Sequence, residues 1–248
     1  MSAKQYARHA CRAGAILVSI LLVACEAPSA EAGPSEPAAP MEQHPREPNT
    51  VADAVSPTIL REVSVPEDQL PDASRGDIEQ GLTYRDTAGD HLLLLRRQSR
   101  TSDATDDYVE QVALSVGMYG IEHAGGPQGY SRRWLTDETF ECEGLDFDAD
   151  FLPDALRVED LDGDGRAEVL FGYSSFCGGG IEPREITLIL RAGEHEYRLQ
   201  GESLVKPPGD APAFGGTYAT TPAEVDIPAP LRTALLDAWE RVKHQSIE

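Results

Sequence analysis

The chain is poor in basic residues. It has 21 lysines and arginines against 43 aspartates and glutamates in 248 residues, which gives a formal net charge of −22 at pH 7. A surface with this charge repels nucleic-acid phosphates and anionic lipid and favours cations or basic partners. We therefore exclude nucleic acid as a partner.

Residue patterns that mark catalytic sites are also lacking. Ser174 and Ser175 lack the second glycine of a nucleophile elbow, and no glycine-rich phosphate loop precedes a helix. The histidines beyond residue 25 are scattered without the spacing of a zinc site: His44, His91, His123, His195 and His244. The sequence identifies no catalytic residue, so we expect a protein that is not an enzyme.

The longest apolar run is too short to span a membrane. It covers residues 13–24, fewer than the ~20 that a span needs, and it follows the basic residues Lys4, Arg8 and Arg12. A basic segment followed by a short apolar segment is the pattern of an export signal.

The end of this run resembles the lipobox of bacterial lipoproteins. Residues 22–25 read Leu-Val-Ala-Cys, and the resemblance implies a signal peptide at residues 1–24 and a lipid anchor on Cys25. The alternative is an ordinary cleaved signal with a chance cysteine. Because Glu26 rather than aspartate follows the cysteine, we expect the outer membrane of the cell envelope, with the periplasmic and surface faces both open.

Residues 25–57 consist largely of proline, alanine, glutamate, serine and glycine. Such a segment cannot bury enough apolar surface to offset its ordering entropy. We predict a disordered, partly extended tether after Cys25. Residues 58–248 are enough for a single domain with a hydrophobic core.

Alternating apolar and polar residues predict strands in this domain. They indicate one hairpin at residues 81–98, with its turn at residues 88–90, and another at residues 184–202. Between the hairpins we predict a strand at residues 130–142 and a strand or strand pair at residues 108–123.

Residues 228–245 are the one good helix candidate, because Leu231, Leu235, Ala238 and Val242 recur at helical spacing. We therefore predict a mainly β (α+β) fold. It would be an antiparallel sheet or sandwich of hairpins with one calcium-type loop and a C-terminal helix.

The densest set of ligand-type residues forms that loop. Asp160, Asp162, Asp164 and Glu168 fall at relative positions 1, 3, 5 and 9, and two glycines among them allow the backbone to curl. Calcium takes several oxygen ligands from carboxylates and backbone carbonyls. We predict a structural calcium ion held by these side chains and by the Arg166 carbonyl.

Position 12 of this loop is Phe171, where a helix-loop-helix calcium site has glutamate. Residues 167–173, at the end of the loop, have the alternating pattern of a strand. The loop thus resembles the β-hairpin calcium loops of integrin (FG-GAP) propeller repeats. The alternative is an acidic turn that carries only solvent and loose counterions.

Export to an oxidising compartment favours a disulfide between Cys142 and Cys177, since lipid occupies Cys25 and the fourth cysteine lies in the signal. We expect this disulfide to clamp the calcium loop from both sides. The alternative makes Cys177 a nucleophile served by His123 or His195.

A second acidic group precedes the loop. Two facing carboxylates can serve glycoside chemistry, so a hydrolase or transferase acting on envelope glycan is the alternative function. The other interpretations are a solvated acidic loop and a supplement to the calcium site. The group consists of Asp146, Asp148, Asp150 and Asp154.

The central third of the chain resembles the M949-type surface polysaccharide biosynthesis proteins of bacteria. The matching positions are Cys142, Asp164, Gly165, Glu168, Tyr173, Cys177, Leu188, Tyr197 and Gly201. This resemblance implies a role at the cell envelope. We therefore expect a lipoprotein that binds, or helps to assemble, a surface glycan or a partner protein.

Overall fold

A computed structural model describes residues 58–62, 70, 73–102, 109–123, 129–143 and 145–245. Most of these residues lie in antiparallel strands, and the described part contains one α-helix near its C-terminal end. The predicted mainly β fold with a C-terminal helix is confirmed. The predicted signal peptide, Cys25 and the tether up to residue 57 lie outside the described residues.

The first sheet has five strands in sequence order, each antiparallel to its neighbour. They are β1 (Thr58–Glu62), β2 (Asp77–Asp86), β3 (Gly89–Ser102), β4 (Val109–Glu122) and β5 (Gly129–Glu143). Residues 108–123, predicted as a strand or strand pair, thus contribute the single strand β4. The turn between β2 and β3 is at residues 87–88, one residue earlier than predicted, because Asp86 accepts a hydrogen bond from Ala88 N and starts the turn.

Nine further strands follow along the chain. They are β6 (Asp146–Phe151), β7 (Arg157–Glu159), β8 (Glu168–Gly178), β9 (Glu185–Ala192), β10 (His195–Glu202), β11 (Leu204–Val205), β12 (Phe214–Gly215), β13 (Tyr218–Thr221) and β14 (His244–Gln245). The second sheet has the order β13-β10-β9-β8-β6, and β7 also pairs with β8. Strands β11, β12 and β14 form a small third sheet, and β9 and β10 are the predicted second hairpin.

The two large sheets pack face to face as a sandwich. Leu93 and Leu95 of β3 are buried in the same cluster as Val169 and Phe171 of β8. Successive side chains of a strand point to opposite faces, so Leu92 and Leu94 lie on the other face of the first sheet. All four leucines are at most 4% exposed, since both faces of β3 are covered.

The helix α1 (Ala229–Val242) covers the other face of the second sheet. Leu231, Leu235 and Ala238 are buried there, as their helical spacing predicts, and Trp239 joins them. They pack against Leu170, Ile186, Leu188, Leu190 and Leu199 of the sheet. No helix in the described part of the chain is long and apolar enough to cross a membrane.

The predicted disulfide between Cys142 and Cys177 is present, with a Cα–Cα distance of 5.7 Å. It joins β5 to β8 and therefore links the two sheets. Cys177 consequently has no free thiol, which removes the nucleophile alternative. A bridge across this sequence separation of 35 residues stabilises the folded state by about 3 to 4 kcal/mol.

The prediction that the disulfide clamps the loop at residues 160–168 is wrong. Cys177 lies near the end of β8, whereas Glu168 is the first residue of that strand. At ~3.3 Å per strand residue the two positions are roughly 30 Å apart. The disulfide and the loop therefore act at opposite ends of β8.

Candidate metal centre

The acidic loop comprises residues 160–168, links β7 to β8 and ends on the first residue of β8. The two strands pair antiparallel, with Glu159 opposite Glu168, so the loop closes a hairpin. Gly163 and Gly165 have φ values of +81° and +85°, which residues with a Cβ rarely adopt. These two glycines allow the chain to curl within the hairpin.

Three carboxylates of the acidic loop converge. Asp160, Asp162 and Glu168 each offer one oxygen, and these oxygens lie within 4.8 Å of one another. Calcium binds oxygen at about 2.3–2.6 Å, so two ligands on opposite sides of an ion are about 5 Å apart. The spacing is therefore compatible with one shared cation.

Backbone amides hold these three side chains in the loop. Asp160 accepts hydrogen bonds of 2.8 and 3.0 Å from the amides of the two loop glycines. Asp162 accepts one of 3.1 Å from Asp164 N, and Glu168 Oε2 accepts one of 2.7 Å from Leu161 N. The carboxylates are thus already ordered by the fold of the loop.

The other two predicted ligands are not in this group of three. The Asp164 side chain is exposed and accepts a hydrogen bond of 2.7 Å from Arg166 N. A metal-binding role for Asp164 and for the Arg166 carbonyl oxygen stays a prediction.

Glu168 is the buried member of the group, at 3% exposure. Burial first, and then the charges of Asp162, Asp164 and Asp160, raise the pKa of its carboxyl to about 7, against the lowering effect of the hydrogen bond from Leu161 N. An ionised Glu168 at this position is therefore costly unless a cation offsets the negative charges.

The acidic loop is also hydrogen-bonded to the first sheet. Gly165 O accepts bonds from Thr87 N at 3.0 Å and from Thr87 Oγ1 at 2.8 Å. Ala167 N donates to Asp86 Oδ2 at 3.1 Å. We call these contacts among Asp86, Thr87, Gly165 and Ala167 the inter-sheet clamp, because they join the β2–β3 turn to the second sheet.

Asp86 supplies the acceptor at the centre of this clamp, and its side chain is only 5% exposed. Its Oδ1 lies 2.9 Å from His91 Nε2 and accepts a bond of 2.8 Å from Ala88 N. Burial acts to raise the pKa of Asp86, but the hydrogen bonds from Ala167 N, His91 and Ala88 N together lower it. The ionised carboxylate is thus held as a fixed acceptor for the loop.

Sequence reasoning missed Asp86 and Thr87. The available signal was an aspartate at the start of a hairpin turn, which indicates a local role in that turn. The contact with Ala167 spans 81 residues of sequence, and no local pattern predicts such a pairing.

The second acidic group does not join the group of three carboxylates. In the described part of the chain, Asp148 forms an ion pair with Arg184, and Asp150 forms one of 3.1 Å with Arg97 Nε. Asp146 and Asp154 are exposed. An arginine partner favours a charged carboxylate, whereas a general acid must hold a proton.

Comparison of the chain with known protein families, curated proteins and solved structures finds no match. The chemistry of the acidic loop and its surroundings is therefore the basis for a functional assignment.

We predict that calcium stabilises the domain through the group of three carboxylates. At 10 mM calcium, and with a dissociation constant of ~0.1 to 1 mM, mass action raises the unfolding free energy by about 1 to 3 kcal/mol. Urea unfolding in calcium and in chelator measures this difference. Asp162→Ala should abolish it.

Asp154→Ala is the matched control, because it removes an exposed aspartate outside the group. It should respond to calcium as the wild type does. An equal gain in the Asp162→Ala variant would show that calcium acts elsewhere.

We also predict a pH dependence that originates from Glu168. Its folded-state pKa of about 7 lies above the ordinary value of 4.5. Between these values the unfolded chain binds fewer protons, so without calcium the folded state loses stability as pH rises, by an amount on the order of 2 kcal/mol. Urea unfolding between pH 4.5 and 8 in calcium-free buffer measures this slope.

Glu168→Gln should flatten the slope, since the amide does not titrate. Saturating calcium should also reduce it in the wild type, because the ion favours the charged carboxylate. An unchanged slope in the glutamine variant would assign the pH dependence to other groups.

Proposed function

We propose that this chain is an exported, lipid-anchored protein of the bacterial cell envelope. Its β-sandwich, stapled by one calcium ion, binds or helps to assemble a surface glycan or a partner protein, and it is not an enzyme. The observation that carries the proposal is the group formed by Asp160, Asp162 and Glu168 beside the inter-sheet clamp.

A structural role for the ion follows from what the acidic loop contacts. The loop carries the group of three carboxylates and also bonds to the first sheet. Gly165 O accepts a hydrogen bond from Thr87, and Ala167 N donates one to Asp86. An ion that fixes the loop would therefore also fix the contact between the two sheets. Calcium at extracellular concentrations suits such a site, since extracellular modules bind it at ~0.1 to 1 mM.

Attachment to the membrane is proposed through Cys25, with residues 25–57 as a spacer. A proline-rich chain of this length can extend roughly 3 Å per residue, or on the order of 100 Å in total. That distance would hold the sandwich clear of a membrane surface and of the anionic lipid that its charge repels.

The surface-polysaccharide role rests on the resemblance stated above. In the structure its matching positions lie in β5, the acidic loop, β8, β9 and β10. They include both cysteines of the disulfide, and buried side chains such as Tyr173 and Leu188. Apart from Cys142 in the first sheet, these positions lie in the second sheet and the acidic loop, so they support a shared scaffold around the loop.

The alternative of a glycan hydrolase or transferase gains no support from the second acidic group. Asp148 and Asp150 each have an arginine partner, and neither belongs to the group of three carboxylates. We therefore retain the binding function alone.

We predict that Cys25→Ser releases the protein from the membrane fraction, because a serine lacks the thiol that receives the lipid. Cell fractionation and incorporation of labelled palmitate measure this. Cys11→Ser is the matched control, since it removes a cysteine from the predicted signal and should leave the anchor intact. Membrane retention and labelling of the Cys25→Ser variant would contradict the lipoprotein assignment.

A further inference from the structure

A cavity of about 570 Å³ lies beside the acidic loop. We call it the arginine cavity, after the side chains that characterise its wall: Arg133, Arg166 and Arg191, with Trp134, His91 and Glu194. Both large sheets and the acidic loop contribute to it. Its volume is within the range of sites for small ligands, about 300 to 1,000 Å³.

The charge of this cavity is the reverse of the charge of the chain. Three arginines line it against two acids, Asp86 and Glu194, whereas the whole sequence has twice as many acidic as basic residues. Asp86 already accepts hydrogen bonds within the inter-sheet clamp. The cavity is therefore a local site for an anion on a protein that otherwise repels anions.

Two of the arginines have guanidinium groups available for a ligand. The side chains of Arg133 and Arg166 are exposed and form no hydrogen bond or ion pair with any residue that the structure describes. Arg191, in contrast, pairs with Glu196, bonds Thr136 Oγ1 at 2.9 Å and lies over the Trp134 ring. A guanidinium recognises carboxylates through two parallel hydrogen bonds, which makes Arg133 and Arg166 suitable receptors.

Two buried nitrogens on the cavity wall also lack partners within the described residues: His91 Nδ1 and Arg191 Nε. The His91 side chain is 6% exposed. Buried polar atoms of native proteins are nearly always hydrogen-bonded, so such atoms indicate a missing partner.

The chemistry of these nitrogens defines that partner. His91 Nε2 lies 2.9 Å from Asp86 Oδ1, which leaves Nδ1 as the ring nitrogen without a partner. Arg191 Nε–H needs an oxygen acceptor. A ligand that fits the cavity therefore carries an anionic oxygen.

We infer that the arginine cavity binds a carboxylate-bearing sugar of an acidic polysaccharide. Arg133 and Arg166 bind the carboxylate. This assignment rests on the proposed function, because it names the class of glycan that the envelope protein binds. Arg166 belongs to the acidic loop, so calcium that orders the loop also raises the affinity for the sugar.

The test is isothermal titration of the purified full chain, in calcium, with short oligomers of galacturonate, glucuronate and mannuronate. Their methyl esters are matched ligands that keep the hydroxyls and lose the charge. Arg133→Gln and Arg166→Gln should each weaken binding of at least one acidic oligomer by about tenfold. Arg241→Gln, an exposed arginine on α1, is the control and should bind as the wild type does.

Both cavity arginines are exposed, so their substitution should leave the fold intact. Thermal unfolding checks that each variant is folded. Equal binding of acid and ester, unchanged affinity in both cavity variants, or no binding of any acidic oligomer would overturn the inference. Inorganic phosphate that binds as tightly as the oligomers would overturn the sugar assignment as well.

Failure of the proposed function gives different results. Arginine-dependent binding together with equal urea stability in calcium and in chelator would remove the calcium staple and leave the arginine cavity as the sugar site. Binding of a neutral envelope glycan, unaffected by both variants, would support the proposed function and contradict the cavity assignment.

Discussion

Hydrogen bonds between the acidic loop and the β2–β3 turn are the contacts on which the arrangement of the two sheets depends at this end of the sandwich. Ala167 N binds the buried carboxylate of Asp86, and Thr87 binds Gly165 O through both its amide and its hydroxyl. The disulfide links the two sheets near the other end of β8. Between the two, the sheets are held by apolar packing, which has no preferred direction, and by polar contacts such as the Arg97–Asp150 ion pair and the Arg191–Thr136 hydrogen bond.

The same loop carries an electrostatic conflict. Asp160 and Asp162 lie against Glu168, and burial of Glu168 raises its pKa to about 7. Near neutral pH a bound cation would therefore favour the ionised form of Glu168. A bound cation would remove the repulsion and tighten the loop from which the clamp extends. Stability of the sandwich, calcium and the position of Arg166 in the arginine cavity are then parts of one linked equilibrium.

The local features of this protein and the disulfide could be predicted from sequence, whereas the other long-range contacts could not. Alternation predicted the β9–β10 hairpin, and helical spacing predicted the buried face of α1, because each pattern reports on its own segment. The positions of the acids predicted the hairpin loop but did not reveal that Asp164 lies outside the group of three carboxylates. Asp86 and the arginine cavity combine residues from strands far apart in sequence, so only the packing of the two sheets brings them together.

Hydrogen exchange at the amides of Thr87 and Ala167 tests the central claim most directly, because both donate across the inter-sheet clamp. The amide of Glu202, which bonds Thr217 O in the second sheet, provides a reference away from the loop. The account predicts that calcium slows exchange at Thr87 and Ala167 by about tenfold or more, from mass action, and slows it less at Glu202. Equal rates with calcium and with chelator at all three amides would contradict it.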